Sequence, residues 1–247
     1  MKPDFKIVGH RGFKSKYPEN TIVSFLAAMD FGVDSIEFDV RLTKDRQLVV
    51  THDNTVDRCS NGKGLVCDFL FEDIRKLDFG GWKDSKFAGT QIPTLEETLD
   101  AILSKNPNFP LLVELKEDDD ECTKRVYDMC LKYNVLEHGL VLSFHPRQLQ
   151  LLRSWKPDIY LQGFPDRYIK VPQPPEAFNG LYNKTCLWTT DAKPEEIQFY
   201  HDKGVAVDLC PVDNEEQLEI AIPLDVDSIT TNAPDVIYPL LRQRGLR

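Results

Sequence analysis

The sequence predicts an α/β fold, a (β/α)8 TIM barrel forming a single domain over residues 1–247. Three observations predict it. Short β-branched runs alternate with helical patterns along the chain, the signature of parallel βα units. No repeat, low-complexity stretch or long linker interrupts the alternation, and 247 residues is the usual size of an eight-fold barrel. The titratable motifs fall at the ends of predicted strands, and in a parallel barrel those ends share the face where active sites are built.

The first predicted strand is Phe5-Lys6-Ile7-Val8, and its end carries Gly9-His10-Arg11-Gly12. A loop with Pro18-Glu19 leads to Asn20, which reads as the N-cap of a helix over 21–31. There Ile22, Phe25, Leu26 and Met29 fall at i, i+3, i+4 and i+7, and Gly32 supplies the stop. The second strand is expected over 35–40 and the third over 48–51. Residues 53–92 loosen into Gly-rich sequence (Asn61-Gly62-Lys63-Gly64, Gly80-Gly81, Ala88-Gly89). This is too long for an ordinary connection, so an insertion over the barrel mouth is expected after the third strand. Thr94-Leu95-Glu96-Glu97 reads as a capping box opening a helix to about residue 104.

The fourth strand is expected over 110–115, followed by an acidic turn and a helix over 122–132. Further strands are read over 140–144, 159–164, 205–210 and 227–231 as the fifth to eighth. A segment at 185–189 also reads as a strand. Nine strands would not fit the barrel, so either it or 159–164 is expected to be irregular.

The net charge of −10 argues against a nucleic-acid or anionic-membrane partner, but one locally positive pocket suffices for a small anionic substrate. No apolar run approaches the roughly 20 residues that span a bilayer, so no stable membrane insertion is expected. Met1-Lys2-Pro3-Asp4 runs straight into a strand with no signal-type segment, which makes a cytoplasmic location the expectation. The six cysteines are scattered, without Cys-x-x-Cys spacing, and read as reduced thiols.

The strand-end motifs carry the chemistry. They are His10-Arg11, Glu37-x-Asp39, His52-Asp53 and Glu114-x-Lys116. Glu37 and Asp39 are two apart on a strand, so both point to one side of the sheet. Two close carboxylates on an inward face repel unless one is protonated or a cation lies between them. With Glu114 they make three oxygen ligands, which suit a hard divalent cation, Mg²⁺ or Ca²⁺, better than zinc. Strand-end carboxylates can also cap helices or form ion pairs. His10 and His52 could divide proton removal from proton donation, ligate a metal, or be satisfied core histidines. Arg11 and Lys116 bring positive charge for a phosphate, although Lys116 could equally pair with Glu114 or Asp39. His138 and His201 read as surface residues near helix ends, and His145 as a secondary candidate.

These motifs, in this order, resemble those of the glycerophosphodiester phosphodiesterase family. His10-Arg11-Gly12, Pro18-Glu19-Asn20-Thr21, Glu37-Phe38-Asp39-Val40, His52-Asp53 and Glu114-Leu115-Lys116 carry the resemblance. Asp53 to Arg58, Gly64, Ile92 to Glu97 and Asp227 to Asp235 extend it over nearly the whole chain. The resemblance implies that Glu37, Asp39 and Glu114 hold the divalent metal, that His10 and His52 are the acid–base pair, and that Arg11 and Lys116 contact phosphate. It implies hydrolysis of a glycerophosphodiester to glycerol 3-phosphate and an alcohol. In that mechanism the neighbouring glycerol hydroxyl attacks phosphorus first, and water then opens the cyclic intermediate. One departure stands out. Family members often end the seventh strand with Trp-Thr-Val-Asn, where this chain has Cys210-Pro211-Val212-Asp213, and Trp188-Thr189-Thr190 lies too early to align. Phe144 and Phe164 are then the candidates for apolar contacts with substrate, Phe144 foremost.

Three other readings compete. A lysophospholipase D-like or phosphatidylinositol-type phosphodiesterase would show a collar of exposed aromatics, drawn from Phe69, Phe71, Phe79, Trp82 and Phe87. A catalytically silent phosphodiester-binding barrel would have lost a ligand or a histidine. A convergent metal hydrolase would act on carboxylic esters or amides.

Overall fold

The computed structural model describes residues 1, 4–169 and 180–247. Eight parallel strands close on one another in the order β1 (Lys6–His10), β2 (Ser35–Leu42), β4 (Leu111–Leu115), β5 (Leu140–Ser143), β6 (Leu161–Gly163), β7 (Lys184–Trp188), β8 (Ala206–Cys210) and β9 (Ser228–Thr231), with β1 paired to both β2 and β9. The chain is therefore a (β/α)8 barrel. Both segments that competed for one place in the sequence, β6 and β7, are barrel strands. The supernumerary strand is β3 (Leu48–Val50), which pairs antiparallel with the end of β2 and lies outside the barrel. His52 therefore follows an extension of the second barrel strand and not a third barrel strand. The long Gly-rich segment accordingly separates the second and third barrel strands. The turn explains the hairpin: only residues 43–47 join β2 to β3, too few for a parallel crossover. Arg46 takes the left-handed conformation there, with φ 64°.

Side-chain alternation along the strands builds two apolar layers. Ile36, Phe38 and Val40 of β2 and Leu111, Val113 and Leu115 of β4 face outward against α1 (Ile22–Phe31), α3 (Leu95–Lys105) and α4 (Asp120–Lys132). Inside the barrel a smaller cluster joins Val8, Leu112, Leu140, Leu142, Phe164, Cys186 and Cys210. The remaining helices, α5 (Pro146–Trp155), α6 (Pro194–His201), α7 (Glu215–Ala221) and α8 (Pro234–Gln243), complete the outer ring. All six cysteines are free.

Residues 53–92 hold one short helix, α2 (Phe71–Ile74), two 3-10 turns and a small core of their own, in which Val56, Cys59, Val66, Ile74, Phe79 and Ile92 pack with Val49. Phe69 and Phe71 pack against it.

The α1 cap differs from expectation. Thr21, not Asn20, is the N-cap, and its hydroxyl accepts the Ser24 N–H. Asn20 instead takes a left-handed conformation with φ 56° and turns its side chain into the barrel. Gly32 ends α1 at φ 100°, as its position predicts. At α3 the capping box is complete: Thr94 Oγ1 accepts from Glu97 N at 3.0 Å, and Glu97 Oε2 accepts from Thr94 N at 2.9 Å. Thr94→Ala should lower stability by about 1 kcal/mol, the usual cost of losing such a cap. Denaturant unfolding measures it, and an unchanged midpoint would show that another acceptor takes the Glu97 N–H.

Candidate active site

Strand register gathers the site. Glu37 and Asp39 alternate with the outward Ile36, Phe38 and Val40, so both point into the barrel. His10 on β1 lies level with Glu37, and Glu114 on β4 lies level with Asp39. As a result, carboxylate oxygens of Glu37, Asp39 and Glu114 lie within 4.8 Å of one another, and all three side chains are buried.

Cations and amides surround them. Lys116 Nζ lies 2.5 Å from Glu114 Oε1 and 2.9 Å from Asp39 Oδ1. Arg11 Nε lies 3.3 Å from Asp39 Oδ2, and Arg11 NH1 lies 2.7 Å from Glu19 Oε1. Asn20 clamps Asp39 twice, donating from Nδ2 to Oδ2 at 2.7 Å and accepting from the Asp39 N–H at 3.3 Å. The turn that carries Arg11 is tight. Arg11 sits at φ 56° and Gly12 at φ 86°, and a Cβ on Gly12 would come within 2.4 Å of Ser24 Oγ. Only glycine fits there, because Ser24 Oγ is already tied to Arg11 O and Phe13 N.

Both histidines are anchored through Nδ1. His10 Nδ1 lies 2.8 Å from Asn232 Oδ1, and its Nε2 lies 3.8 Å from Glu37 Oε2. His52 Nδ1 lies 2.7 Å from Asp53 Oδ1. Arg58 then holds Asp53 Oδ2 at 2.7 Å and both oxygens of Glu19, at 2.7 and 2.9 Å. Glu19 thus joins Arg11 of the barrel to Arg58 of residues 53–92.

His10, Arg11, Glu37, His52, Glu114 and Lys116 line one wall of a cavity of about 320 Å³ at the carboxyl ends of the strands. The opposite wall is apolar, with Leu142, Phe144, Phe164, Cys186, Trp188 and Cys210. Phe144 stacks on Phe164 with ring centroids 3.5 Å apart, and Lys116 Nζ lies 5.9 Å from the Phe144 centroid. A larger recess of about 550 Å³ opens at the other end of the barrel, where Lys6, Ser35, Tyr160 and Ala206 lie, and holds none of these groups. The chemistry, not the size, marks the smaller cavity as the site.

The sequence profile of the Glycerophosphoryl diester phosphodiesterase family matches residues 10–236. The chain belongs to that family. It is 34% identical over 246 residues to a glycerophosphodiester phosphodiesterase from Caldanaerobacter subterraneus subsp. tengcongensis, covering 97% of this chain and 98% of the relative. The crystal structure of a glycerophosphodiester phosphodiesterase from Agrobacterium tumefaciens superposes with a TM-score of 0.77 at 28% identity, covering 94% of this chain and 97% of that one. A phosphodiesterase from Oleispira antarctica, solved with its product sn-glycerol-3-phosphate, shares the fold with a TM-score of 0.82 at 22% identity, covering 96% of each chain.

In this family member the electrostatics of the site are uneven. Burial, then Asp39 and Glu114, push the Glu37 carboxyl well above its ordinary value. Burial raises Glu114 to about 7, against the pull of Lys116 and with Asp39 adding to the rise. Asp39 is held well below its ordinary value, because Lys116 and Arg11 outweigh the burial that opposes its charge. Glu37 Oε1 is buried with no hydrogen-bond partner. A buried carboxylate oxygen without a donor, beside two other buried carboxyl groups, is what a hard divalent cation relieves. The residues present fit one. Burial lowers His10 to about 3, so its ring is neutral near pH 7, and burial lowers His52 as well, against the pull of Asp39 and Asp53.

Several contributors to the site were not legible in the sequence. Trp188 ends the strand beside β8 and pairs in register with Cys210, so an aromatic wall stands one strand away from where the family often carries it. Asn232 and Asp213 lie more than 200 residues from His10, and only the closure of β1 on β9 brings them together. Among the other histidines, His201 pairs with Asp227 at 2.9 Å, while His138 and His145 flank a 3-10 turn and α5; none lines the cavity.

Glu19 offers a pH test. Burial opposes its charge, but hydrogen bonds from Arg58 and the charge of Arg11 hold it at about 2. A depressed carboxyl contributes stability that is fully present above the ordinary value of about 4.3 and is lost as pH falls towards the folded value. Glu19→Gln should therefore melt below wild type at pH 7, and the gap should close between about pH 4.5 and 2. A gap independent of pH would assign the contribution of Glu19 to packing instead of charge.

Proposed function

We propose that the chain hydrolyses glycerophosphodiesters to glycerol 3-phosphate and an alcohol, using a divalent cation and two histidines. One observation carries the reading: two imidazoles, each fixed through Nδ1, border a single cavity together with a buried three-carboxylate cluster. A silent binding barrel has no use for that combination, since the carboxylates cost stability and the imidazoles are poised for proton transfer.

Glu37, Asp39 and Glu114 would hold Mg²⁺ or Ca²⁺, which supplies Lewis-acid stabilisation of charge on the phosphate oxygens. Arg11 and Lys116 add fixed positive charge on the same wall, although in this arrangement each also neutralises Asp39. His10 and His52 would move protons: the neutral His10 ring takes the proton of the attacking hydroxyl, and His52, entering the step as imidazolium beside Asp53, gives a proton to the departing alcohol. If the reaction passes through a cyclic phosphate, the two exchange roles when water enters. The Phe144, Phe164 and Trp188 wall packs against the carbon skeleton of the substrate and keeps water from that side. Of the five insertion aromatics only Trp82 is exposed: Phe79 is buried in the small core, Phe69 and Phe71 pack against it and Phe87 packs on Tyr17, so they form no apolar collar and a small soluble diester is favoured over a lipid interface. No described helix is long and apolar enough to cross a membrane.

Purified protein should release glycerol 3-phosphate from glycerophosphocholine, glycerophosphoethanolamine or glycerophosphoglycerol, with EDTA abolishing the reaction and Mg²⁺ or Ca²⁺ restoring it. Activity confined to lysophospholipid vesicles would move the substrate to lipids, and silence on both would leave a binding role. His10→Ala and His52→Ala should each lower turnover by roughly 10² to 10⁴ with melting temperature little changed. Near wild-type turnover in either variant would remove that ring from the mechanism. Glu37→Ala should weaken metal binding by calorimetry, and unchanged affinity would contradict its role as a ligand.

A further inference from the structure

We propose that Asp213 is a positioning residue that acts through Asn232 to dictate which nitrogen of His10 carries the hydrogen. The proposal rests on the reading of His10 as a proton-transfer group.

Asp213 follows β8, Asn232 follows β9 and His10 ends β1, three neighbouring strands whose carboxyl ends meet at the site. The Asp213 carboxylate receives three donors. Asn232 N and Thr231 Oγ1 donate to Oδ1 at 2.6 and 3.2 Å, and Asn232 Nδ2 donates to Oδ2 at 2.6 Å. The backbone N–H of Asp213 is itself held by Gln217 Oε1 at 2.7 Å, which fixes the backbone of the residue to α7.

An ionised carboxylate can only accept hydrogen bonds. The end of the Asn232 amide that faces Asp213 Oδ2 must therefore be the NH₂ group. A flipped amide would set oxygen against oxygen at 2.6 Å. With the NH₂ committed, the carbonyl oxygen of Asn232 faces His10 Nδ1 at 2.8 Å. A carbonyl also only accepts, so Nδ1 of the neutral ring must carry the hydrogen and Nε2 must carry the lone pair. Nε2 is the nitrogen turned towards the carboxylate cluster, 3.8 Å from Glu37 Oε2. The tautomer is thus chosen two side chains away, by a group that never touches the ring.

The two histidines differ in this respect. His52 Nδ1 meets a carboxylate directly, at Asp53 Oδ1. His10 meets a neutral amide, with the carboxylate one residue further back. The relay orients the His10 ring without placing a full negative charge against it.

The test reads tautomer and turnover separately. Nitrogen-15 NMR of histidine-labelled protein, with and without Mg²⁺, reports which ring nitrogen carries hydrogen, and His10→Gln identifies the His10 signals. Wild type should show His10 protonated at Nδ1, and a ring protonated at Nε2 would overturn the proposal outright. Asp213→Asn replaces one of the two accepting oxygens with an NH₂. When its oxygen keeps the Asn232 N–H, its NH₂ faces the Asn232 side chain and turns that amide over, so His10 moves to the Nε2–H form. Turnover should then fall at least about tenfold, with KM within about twofold of wild type. The double variant Asp213→Asn with Asn232→Asp sets a carboxylate against the ring and an amide behind it. It should recover both the Nδ1–H form and most of the lost turnover. An unchanged tautomer in Asp213→Asn, or turnover that the double variant does not recover, would reduce Asp213 to a packing role. If wild type is inactive on every diester, the functional reading fails, and the NMR result still decides the relay.

Discussion

Two like charges 4 Å apart repel by about 4 kcal/mol at an effective dielectric near 20. Glu37, Asp39 and Glu114 bring three carboxylates within 4.8 Å of one another behind a wall of protein. Most of the polar structure around the barrel mouth answers that repulsion. Lys116 bridges Asp39 and Glu114, Arg11 and Asn20 hold Asp39, and the Arg11 N–H reaches Glu37. What they leave uncompensated is Glu37, whose carboxyl stays high and whose Oε1 has no donor. The cluster is destabilising for the fold by itself, and its persistence on two adjacent strands makes sense as a demand of function.

The same demand spreads outward through Arg11. Its guanidinium must be held against Asp39, and Glu19 does this from the other side, buried and ionised. Glu19 in turn needs more positive charge than Arg11 alone provides, and Arg58 supplies it with two hydrogen bonds. Arg58 also fixes Asp53, and Asp53 fixes His52. A chain of alternating charges therefore runs from the carboxylate cluster to the second imidazole.

The sequence made the chemistry more legible than the topology. His10, Glu37, Asp39, His52 and Glu114 could be singled out because strand-end spacing alone puts titratable groups on one face. The place of β3 could not be read from its apolar pattern, since a three-residue buried run looks the same in a parallel and an antiparallel pair. The signal was in the connection: five residues between Leu42 and Leu48 close a hairpin and cannot make a crossover. Asn20 reads as a cap because Asn and Thr both favour caps, and only the three-dimensional demand of Asp39 decides between them. Asn232, Asp213 and Trp188 owe their places to barrel closure, which no local pattern encodes.

Because β3 leaves the barrel, the two imidazoles stand on different foundations. His10 is part of the closed sheet, flanked by β2 and β9. His52 hangs from the outside of that sheet, at the start of a segment with its own small core, and is moored to it by Asp53, Arg58 and Glu19. The pair of imidazoles is in this sense modular. Loop exchange among barrels of this kind would carry one histidine away with the graft and leave the other behind. A transplanted segment can work only if it brings its own arginine to dock on Glu19.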